Sequence, residues 1–442
     1  MNRRRVLVAG GVALTATIAL FALRYALHTP ALQKLAQPSP GSYSGSWYFP
    51  RGGPYLLGFS SPSDAVLSVD GKIVARGTGE QSGRVVFAPG VYDVTFLTRA
   101  ESARLLWHPP GRRGALEYVP ASSLSAEPAA RAHFGAGAGA SHLDAAVLTL
   151  ILLVWMFAAF YIGRPQVDRR WLIALASVFI GALLVRLWVV AAFGQTWDED
   201  EYWSAGRNYL ENILDLDFSA YAWRFNYEHP PLTKYIAGLG ALWTDGYGGA
   251  RLLFALIGAG TCALATDLGR RLFDTRAGMV AGVILALFPR LIAHDVVVGH
   301  ETPSVFFWTL AVWFSVRAGQ DLDLWLRNLV YASLALGLAA STRFANLLVG
   351  PVLAVTLLTL WPVHTWWRRG LVAGLVGPLV AALVLFALWP RMWVAPLAHL
   401  QSAWQVLKEQ NMPEYYLGQL VSHPPWHYFP VYLLATTPVL VL

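Results

Sequence analysis

Long apolar runs separated by short polar connections make up most of this chain. A helix that spans a membrane needs about 20 mostly apolar residues, and we predict about ten such helices. The predicted spans lie near residues 6–27, 143–163, 171–193, 250–268, 276–294, 302–318, 325–342, 345–361, 370–390 and 427–442. The pattern therefore predicts a polytopic α-helical membrane protein. Because no convincing small-residue cleavage site follows the first run, residues 1–30 are predicted to be an uncleaved N-terminal membrane anchor.

Basic residues at the ends of these runs predict the orientation of the chain. Cytoplasmic connections of membrane proteins collect Lys and Arg, and here alternate connections do so. The arginines that share one side are Arg3, Arg4, Arg5, Arg164, Arg169, Arg170, Arg270, Arg271, Arg276, Arg317, Arg327, Arg368 and Arg369. The extracytoplasmic side then receives residues 28–142, 194–249, 295–301, 343–344 and 391–426. Leu232–Trp243 is too short to cross a membrane, so we expect it to lie along the outer surface.

Composition excludes several classes of protein. Apolar residues make up 56% of the chain and charged residues 13%, whereas soluble domains carry about 25% charged residues. The net charge of +7 is not concentrated on one surface or helix face, so no nucleic-acid partner is predicted. The single cysteine, Cys262, lies in an apolar run and supports neither a disulfide framework nor a cysteine zinc cluster. The sequence also lacks the glycine fingerprint of a nucleotide-binding loop.

Residues 41–130 have a different pattern, in which short alternating runs are separated by turn signals such as Asp70-Gly71. We predict an inserted extracytoplasmic all-β domain there. A flexible Gly/Ala-rich linker is expected over 131–142, and an extra transmembrane helix with a cytoplasmic loop over 143–170. The β segment resembles the protective-antigen-type β-barrel domain in the order of Gly45–Pro50, Tyr55–Phe59, Ala65–Lys72, Pro89–Tyr92 and Leu105–Gly111.

The resemblance to that barrel family leaves two roles open for the β segment. Many members bind sugars through a calcium ion held by adjacent aspartates. The corresponding stretch, residues 60–65, has one aspartate, Asp64. The domain is therefore expected either to bind carbohydrate or to pack on and space the membrane part, since a fold alone does not determine function.

Four consecutive carboxylates follow the third predicted span: Asp198, Glu199, Asp200 and Glu201. A run of acidic residues is commonly a solvated loop. About thirty residues later, the sequence adds an acid, an imidazole and an amine around two prolines that restrict the backbone. These residues are Glu228, His229, Pro230, Pro231 and Lys234. The second group favours a functional site over a solvated loop.

The order of these segments resembles a known family of membrane enzymes. The segments that carry the resemblance are Trp197–Glu199, Glu228–Lys234, Arg251–Leu253, Gly269–Phe273, Arg276–Gly278, Phe288–Pro289, His300–Pro303, Pro425–Phe429 and Thr437–Pro438. They are similar to the dolichyl-phosphate-mannose protein mannosyltransferase and aminoarabinose transferase group, the C-type integral-membrane glycosyltransferases. The resemblance covers residues 171–442 and implies that this region is the membrane core of a C-type glycosyltransferase fold.

The resemblance also implies roles for individual residues. In that family the acidic pair at the start of the first outer loop supplies the catalytic base, which implies Asp198 with Glu199 as its neighbour. Asp200 and Glu201 form a competing register. A carboxylate can take the proton that an acceptor hydroxyl or amine loses as it attacks the sugar. The substrate-binding candidates are Glu228, His229, Lys234, Arg251, His300, Glu301 and Arg343.

Cations are expected in this site because the leaving group implied by the resemblance is a polyprenyl phosphate, whose developing charge needs stabilisation. Lys234, Arg251 and Arg343 are the candidates. Arg343 stands where the family commonly has Lys, and either residue can meet a phosphate. Arg186 and Arg290 lie near the outer ends of spans, where extension of the side chain to the membrane interface is the favoured interpretation.

Glu301 is expected to be a second carboxylate of the site, at a position where the family usually has an acid. His294, His423 and His427 could join it around a divalent metal. Their scattered spacing is not a metal signature, so a metal stays an open alternative. Apart from that metal, the lipid-linked sugar donor is the only small-molecule requirement that the resemblance implies.

The implied function is inverting transfer of a hexose or pentose from a polyprenyl-phosphate donor to an extracytoplasmic protein, lipid or polysaccharide. The alternative is a transporter or flippase of lipid-linked saccharide, which predicts an internal repeat that we do not find. A membrane-anchored sugar-binding module explains only the β segment. The Ala/Arg-rich composition favours a bacterial inner membrane. The last apolar run, ending at Leu442, has about sixteen residues and is shorter than a comfortable span, so the sequence leaves open whether the chain is C-terminally incomplete.

Overall fold

The computed structural model describes residues 3–27, 31–50, 52–100, 102–110, 116–126, 142–163, 168–196, 198–220, 222–244, 246–409 and 413–437. Most of the predicted linker over 131–142 lies outside these ranges, as do Arg164 and residues 438–442 at the end of the last predicted span. Helices and one large sheet make up most of the described chain.

The described helices include those over the predicted apolar runs and three in the predicted connections 194–249 and 391–426. They are α1 (Arg3–Leu27), α2 (His142–Gly163), α3 (Arg169–Val190), α4 (Glu199–Leu214), α5 (Leu232–Trp243), α6 (Tyr247–Leu272), α7 (Thr275–Ala286), α8 (Pro289–Asp295), α9 (Glu301–Gln320), α10 (Trp325–Ala340), α11 (Val349–Leu360), α12 (Trp366–Leu388), α13 (Pro396–Glu409) and α14 (Tyr428–Thr436). Asp168 begins α3 by accepting a hydrogen bond from the Arg170 amide at 3.1 Å. Such a cap satisfies an amide that has no partner within the helix.

Four of the described helices are long and apolar enough to cross a membrane: α1, α3, α6, and α12 with the turn before it. The pair α7 and α8 adds a fifth if it is counted as one bent span, and shorter apolar helices lie at 142–158 and 344–360. Fewer helices therefore meet this criterion than the ten spans expected from the sequence. The number of crossings stays a prediction.

The span predicted over 276–294 is not one straight helix, because α7 and α8 meet at an angle of 61°. Pro289 is the first residue of α8. A proline lacks the amide hydrogen that would continue the preceding helix, and its ring clashes with the preceding turn. The predicted helix over 276–294 is therefore bent at this proline, and its crossing of the membrane as one span stays a prediction.

Eight strands between Ala36 and Ser125 form one antiparallel sheet. They are β1 (Ala36–Ser39), β2 (Ser42–Phe49), β3 (Gly53–Val69), β4 (Lys72–Phe87), β5 (Gly90–Thr98), β6 (Arg104–His108), β7 (Glu117–Tyr118) and β8 (Leu124–Ser125). The order is β1-β2-β5-β3-β6-β7, with β4 paired to β3 and β8 paired to β2. A short hairpin, β9 (Glu414–Tyr416) and β10 (Gln419–Val421), lies near the other end of the chain.

The turn between β3 and β4 is the Asp70-Gly71 signal of the sequence. Both residues have positive φ, 52° and 72°, and this left-handed backbone matches the twist of a tight hairpin. One side of the sheet buries an aromatic core that includes Trp47, Phe49, Tyr55, Phe59 and Trp107. The sheet therefore has a hydrophobic core of its own.

Three glycines allow α4, α5 and α6 to pack with their backbones in contact. A Cβ built on Gly206 of α4 would lie 2.0 Å from the carbonyl oxygen of Lys234 in α5. A Cβ on Gly238 would lie 2.2 Å from the carbonyl oxygen of Gly206, and one on Gly240 would lie 2.2 Å from the amide of Ala250 in α6. The glycines thus fix the three helices around the start of α4.

We expect Gly206→Ala to destabilise the protein by about 2–3 kcal/mol, because the added methyl group meets backbone that cannot rotate away. Thermal unfolding of the protein in detergent measures the effect. The matched control is Gly374→Ala in α12, where nothing lies within 4 Å of the added Cβ. Equal melting temperatures for the two variants would contradict the close packing of α4 on α5.

Candidate active site

The four consecutive acidic residues lie at the start of α4. Asp198 precedes the helix, and Glu199, Asp200 and Glu201 form its first turn. Negative charge is favourable there because the helix dipole is positive at its N-terminus. Asp198 is exposed and Glu201 is half-buried, whereas Glu199 and Asp200 are 0% and 1% exposed. The four carboxylates therefore have different environments.

Glu199 and Arg251 form a buried ion pair between α4 and α6. Arg251 Nε donates to Glu199 Oε1 at 2.7 Å, and Arg251 Nη2 donates to Glu199 Oε2 at 2.6 Å. The Val298 amide also donates to Glu199 Oε1, at 3.1 Å. Further donors of the guanidinium bind the carbonyl oxygens of Phe193 and Gly194, both at 2.8 Å. The ion pair thus joins α4 to α6, and its further hydrogen bonds hold the segments at Phe193–Gly194 and at Val298.

Lys234 holds the loop that carries Glu228 and His229. Its ammonium is buried and donates to the carbonyl oxygens of Asn226, at 2.5 Å, and His229, at 2.6 Å. Asn226 Nδ2 in turn donates to Glu228 Oε1 at 3.1 Å. The ammonium also lies 5.5 Å from the centre of the Tyr209 ring. The Lys234 ammonium therefore binds the backbone of the Glu228 loop and lies over the Tyr209 ring.

Two histidines and a tyrosine meet beside the acidic turn. The Tyr202 hydroxyl and His300 Nδ1 are 2.8 Å apart, and the His229 and His300 rings stack with their centres 5.9 Å apart. Glu301 is the first residue of α9, and its Oε1 lies 3.2 Å from His300 Nε2. These contacts bring the Glu228 loop, α4 and the start of α9 together.

Arg343 lies in the turn that follows α10. Asn346 Nδ2 donates to Ser304 Oγ of α9 at 2.8 Å, and the Leu232 amide at the start of α5 donates to the Ser341 carbonyl at 2.9 Å. These bonds hold the turn against α9 and α5. The Arg343 side chain is exposed, and it makes no hydrogen bond or ion pair within the described ranges.

Burial and neighbouring carboxylates raise the pKa of Asp198. Although its side chain is exposed, partial desolvation by the surrounding segments contributes most, followed by the charges of Glu301, Asp200 and Glu228. The pKa of Glu201 is also raised, first by burial and then by the same kind of charge repulsion. A carboxylate whose pKa is raised toward neutrality is a better proton acceptor than an ordinary aspartate. The environment of Asp198 therefore suits a general base.

Burial shifts the pKa values of the basic groups downward. It lowers the pKa of Lys234 to about 7, against the charges of nearby carboxylates. It lowers the pKa of His229 to about 3, and the charges of Lys234, His300 and Arg343 add to this shift. His229 is therefore neutral at physiological pH and can both donate and accept a hydrogen bond.

The nine catalytic and substrate-binding candidates of the sequence lie in or beside this group of segments. The candidates are Asp198, Glu199, Glu228, His229, Lys234, Arg251, His300, Glu301 and Arg343. Sequence reasoning missed Tyr202 and Asn226 as contributors to the site. The signal for Tyr202 was available, because it follows Asp198 by four residues, which places both on one face of a helix.

Arg186 is not an interfacial residue, contrary to the expectation from its position near the end of a span. Its side chain is fully buried, and its Nη2 and Nε lie 2.7 and 2.8 Å from Asp295 Oδ2. Thr302 Oγ1 donates to the other carboxylate oxygen at 2.8 Å. A Cβ on Gly258 would meet this carboxylate at 2.2 Å. A buried cation needs such a partner because its desolvation is costly.

Within the described ranges, no group of three or more His, Cys, Asp and Glu side chains is arranged to hold a metal ion. His294, His423 and His427 therefore do not form such a group with Glu301 there. The divalent metal that the sequence left open has no candidate site in this part of the chain.

The fold and the site define an integral membrane protein in which a polar, carboxylate-rich site lies at the ends of apolar helices. Residues 228–393 match the family model of dolichyl-phosphate-mannose-protein mannosyltransferase. The match supports the glycosyltransferase group and implies a glycosyltransferase activity. It includes the Glu228 loop, Glu301 and Arg343, and it begins after the acidic turn of α4. No curated protein and no solved structure gives a significant match.

Proposed function

We propose that the chain transfers a sugar from a polyprenyl-phosphate-linked donor in the bilayer to an acceptor outside the cytoplasm. The observation that carries the proposal is the meeting of carboxylates from α4, the Glu228 loop and α9 beside the Arg343 cation. Glycosyl transfer from a phosphate needs a base for the acceptor and a cation for the leaving group at one place. The family match supports the same reaction class.

Asp198 is the base in this proposal. It is exposed to the site, and its raised pKa suits proton transfer. Glu199 is proposed instead as a positioning residue, because Arg251 and the Val298 amide already bind both its oxygens. The charge of Asp200 raises the pKa of both Asp198 and Glu201.

Arg343 is the residue proposed to meet the departing phosphate. Its exposed guanidinium is close enough for its charge to affect His229 and Tyr202. Lys234 and Arg251 are instead proposed to hold the site together, since their donors bind backbone carbonyls and Glu199. The planar guanidinium of an arginine can bind two phosphate oxygens at once, which suits it to the leaving phosphate.

The proposed step balances as a single displacement. The acceptor oxygen or nitrogen attacks the anomeric carbon of the sugar, and its proton passes to the Asp198 carboxylate. As the new bond forms, the bond between the anomeric carbon and the phosphate oxygen breaks. The polyprenyl phosphate leaves with that electron pair, and Arg343 stabilises its charge. Attack from the face opposite the leaving group inverts the anomeric carbon.

The chemistry of the donor and of the acceptor determines where the proposed site lies and which groups can receive the sugar. A polyprenyl-phosphate donor stays in the bilayer, so the site belongs at the membrane surface. The positive-inside pattern of arginines supports an extracytoplasmic site, and the composition supports a bacterial inner membrane. A protein, lipid or polysaccharide hydroxyl or amine can each serve as acceptor.

The proposal is tested by reconstituting the full chain in lipid vesicles with a panel of radiolabelled polyprenyl-phosphate sugars and acceptors. We expect label to move from the lipid to an acceptor. A second measurement follows the same labelled lipids between the two leaflets. Movement between leaflets without transfer to any acceptor would replace the enzyme by a transporter of lipid-linked saccharide.

The pH dependence of transfer should reflect the raised pKa of Asp198. A base works when deprotonated, so kcat/KM should fall as the pH drops through this pKa, and the fall should begin above the usual aspartate range near 4. Lys234, with a pKa of about 7, is the competing source of such a change. The pKa read from the pH–rate profile changes little with temperature when a carboxyl group titrates, and changes strongly when an amine titrates. An acid limb that shifts strongly with temperature would assign it to Lys234 and contradict the prediction.

A further inference from the structure

One end of the β-sheet packs directly on α4. Leu106 of β6 and Tyr118 of β7 share a buried cluster with Ala205 and Tyr209 of α4 and with Trp223 of the following loop. The Tyr118 ring also meets the ring of Phe225 in that loop edge-on, with centres 6.3 Å apart. The sheet therefore contributes to the core that supports the acidic helix.

Two asparagines of α4 bind the backbone and a side chain of this sheet. Asn208 Nδ2 donates to the Leu116 carbonyl at 2.9 Å, and Asn208 Oδ1 accepts from the Tyr118 amide at 3.1 Å. The Tyr118 hydroxyl donates to Asn212 Oδ1 at 2.9 Å. Asn208 and Asn212 are buried (0% exposed), and buried polar groups hold orientation because losing their partners is costly.

The same contacts reach the loop that carries Glu228. Asn212 Nδ2 donates to the Ala222 carbonyl at 2.7 Å. Arg224 of the loop forms an ion pair with Glu80 of β4. Through Asn212, Tyr118 is thus linked to α4 and to the Glu228 loop. These two segments carry Asp200 and Glu228, whose charges raise the pKa of Asp198.

Ion pairs add a second attachment at the other end of α4. Asp215, the residue after α4, binds Arg104 of β6 at 2.8 Å and Arg24 of α1 at 2.8 Å. Arg24 also binds Asp144 of α2 at 3.0 Å. The sheet, the N-terminal helix and α2 therefore meet at one point, and the sheet cannot swing away from α4 without breaking these contacts.

We propose that the β-sheet is part of the scaffold of the active site, with Tyr118, Asn208 and Asn212 as positioning residues for α4 and the Glu228 loop. The proposal rests on the transfer function proposed above. It assigns the sheet a part in the reaction itself, through the orientation of Asp198 and Glu228. A sheet that only binds carbohydrate would not need these buried bonds to α4.

Tyr118→Phe tests the proposal because it removes one hydroxyl and keeps the ring that packs on Phe225. We expect kcat to fall about tenfold while the KM for the donor changes less than about twofold, since a small misplacement of reacting groups slows the chemical step. The matched control is Tyr92→Phe, which removes a hydroxyl that donates to the Ala88 carbonyl in the same sheet. A kcat for Tyr118→Phe equal to that of the control would overturn the proposal.

Two further measurements separate positioning from loss of folding and from failure of the proposed function. In an Asn212→Ala background, Tyr118→Phe should have little further effect on kcat, because the bond is already gone; an equal fall in both backgrounds would overturn the route through α4. Hydrogen exchange of α4 amides needs no activity. Faster exchange in Tyr118→Phe than in Tyr92→Phe supports the scaffold even if no transfer is found, and equal exchange overturns it.

Discussion

A fall in kcat of about 10²–10⁴-fold is the expected result of Asp198→Asn, because an amide cannot take the acceptor's proton. The substitution keeps the size of the side chain and removes one of several crowded negative charges, so folding should not suffer. Donor binding should be retained or slightly stronger. Transfer of radiolabelled sugar and equilibrium binding of the donor, both in lipid vesicles, measure the two quantities.

The matched control for Asp198→Asn is Asp323→Asn, which makes the same change at an exposed position between α9 and α10. It should transfer sugar at the wild-type rate. Asp200→Asn tests the competing register and should cost less than Asp198→Asn, since it removes charge and not the base. A normal rate for Asp198→Asn together with a lost rate for Asp200→Asn or Glu201→Gln would move the base to that register.

Arg343→Ala should lower kcat by about 10²–10³-fold, because it removes the cation proposed to stabilise the departing phosphate. Arg343→Lys should recover part of this loss, since an ammonium carries the charge but lacks the two-pronged geometry. Transfer rates measured with the same donor for both variants give the comparison.

The control for the arginine variants is Arg276→Ala, at an exposed position in the first turn of α7. Its rate should match the wild type. The proposed role of Arg343 would be contradicted if Arg343→Ala changed the donor KM alone, or if Arg343→Lys were as slow as Arg343→Ala. Either outcome would assign Arg343 to ground-state binding or to folding.

Local sequence signals predicted several features of the structure because they depend on neighbouring residues. The short apolar stretch Leu232–Trp243 is a helix with the predicted ends, since two prolines precede it. The run predicted near residues 302–318 is also a helix, which begins one residue earlier at Glu301. The break at Pro289 was also visible locally, as a proline within the apolar run. The continuous apolar pattern favoured a single helix, so the break was not predicted.

Long-range partners could not be predicted in the same way. The sequence presents Lys234 and Arg251 as cations suitable for a phosphate, but nothing local shows that loop carbonyls and Glu199 occupy their donors. Arg186 and its partner Asp295 are 109 residues apart. The sequence gives the type of such groups, and only folding decides which of them face each other.

The attachment of the sheet to α4 had no sequence signal either. Tyr118 and Asn212 are separated by 94 residues, and each is an ordinary residue for its element. The sequence left the sheet with two roles, carbohydrate binding or packing on the membrane part. Buried bonds to the helix that carries the acids favour the second role, and the scaffold that we propose would connect the sheet to the reaction.

The most direct test of sugar transfer uses a donor with one radioactive label in the sugar and a different one in the phosphate. We predict that each sugar found on the acceptor is matched by one polyprenyl phosphate that keeps its phosphorus label in the lipid. Transfer of both labels together to the acceptor would show that the bond between the phosphate and the polyprenyl chain breaks. Label in neither the acceptor nor free polyprenyl phosphate would exclude transfer. Either result would contradict the proposed function.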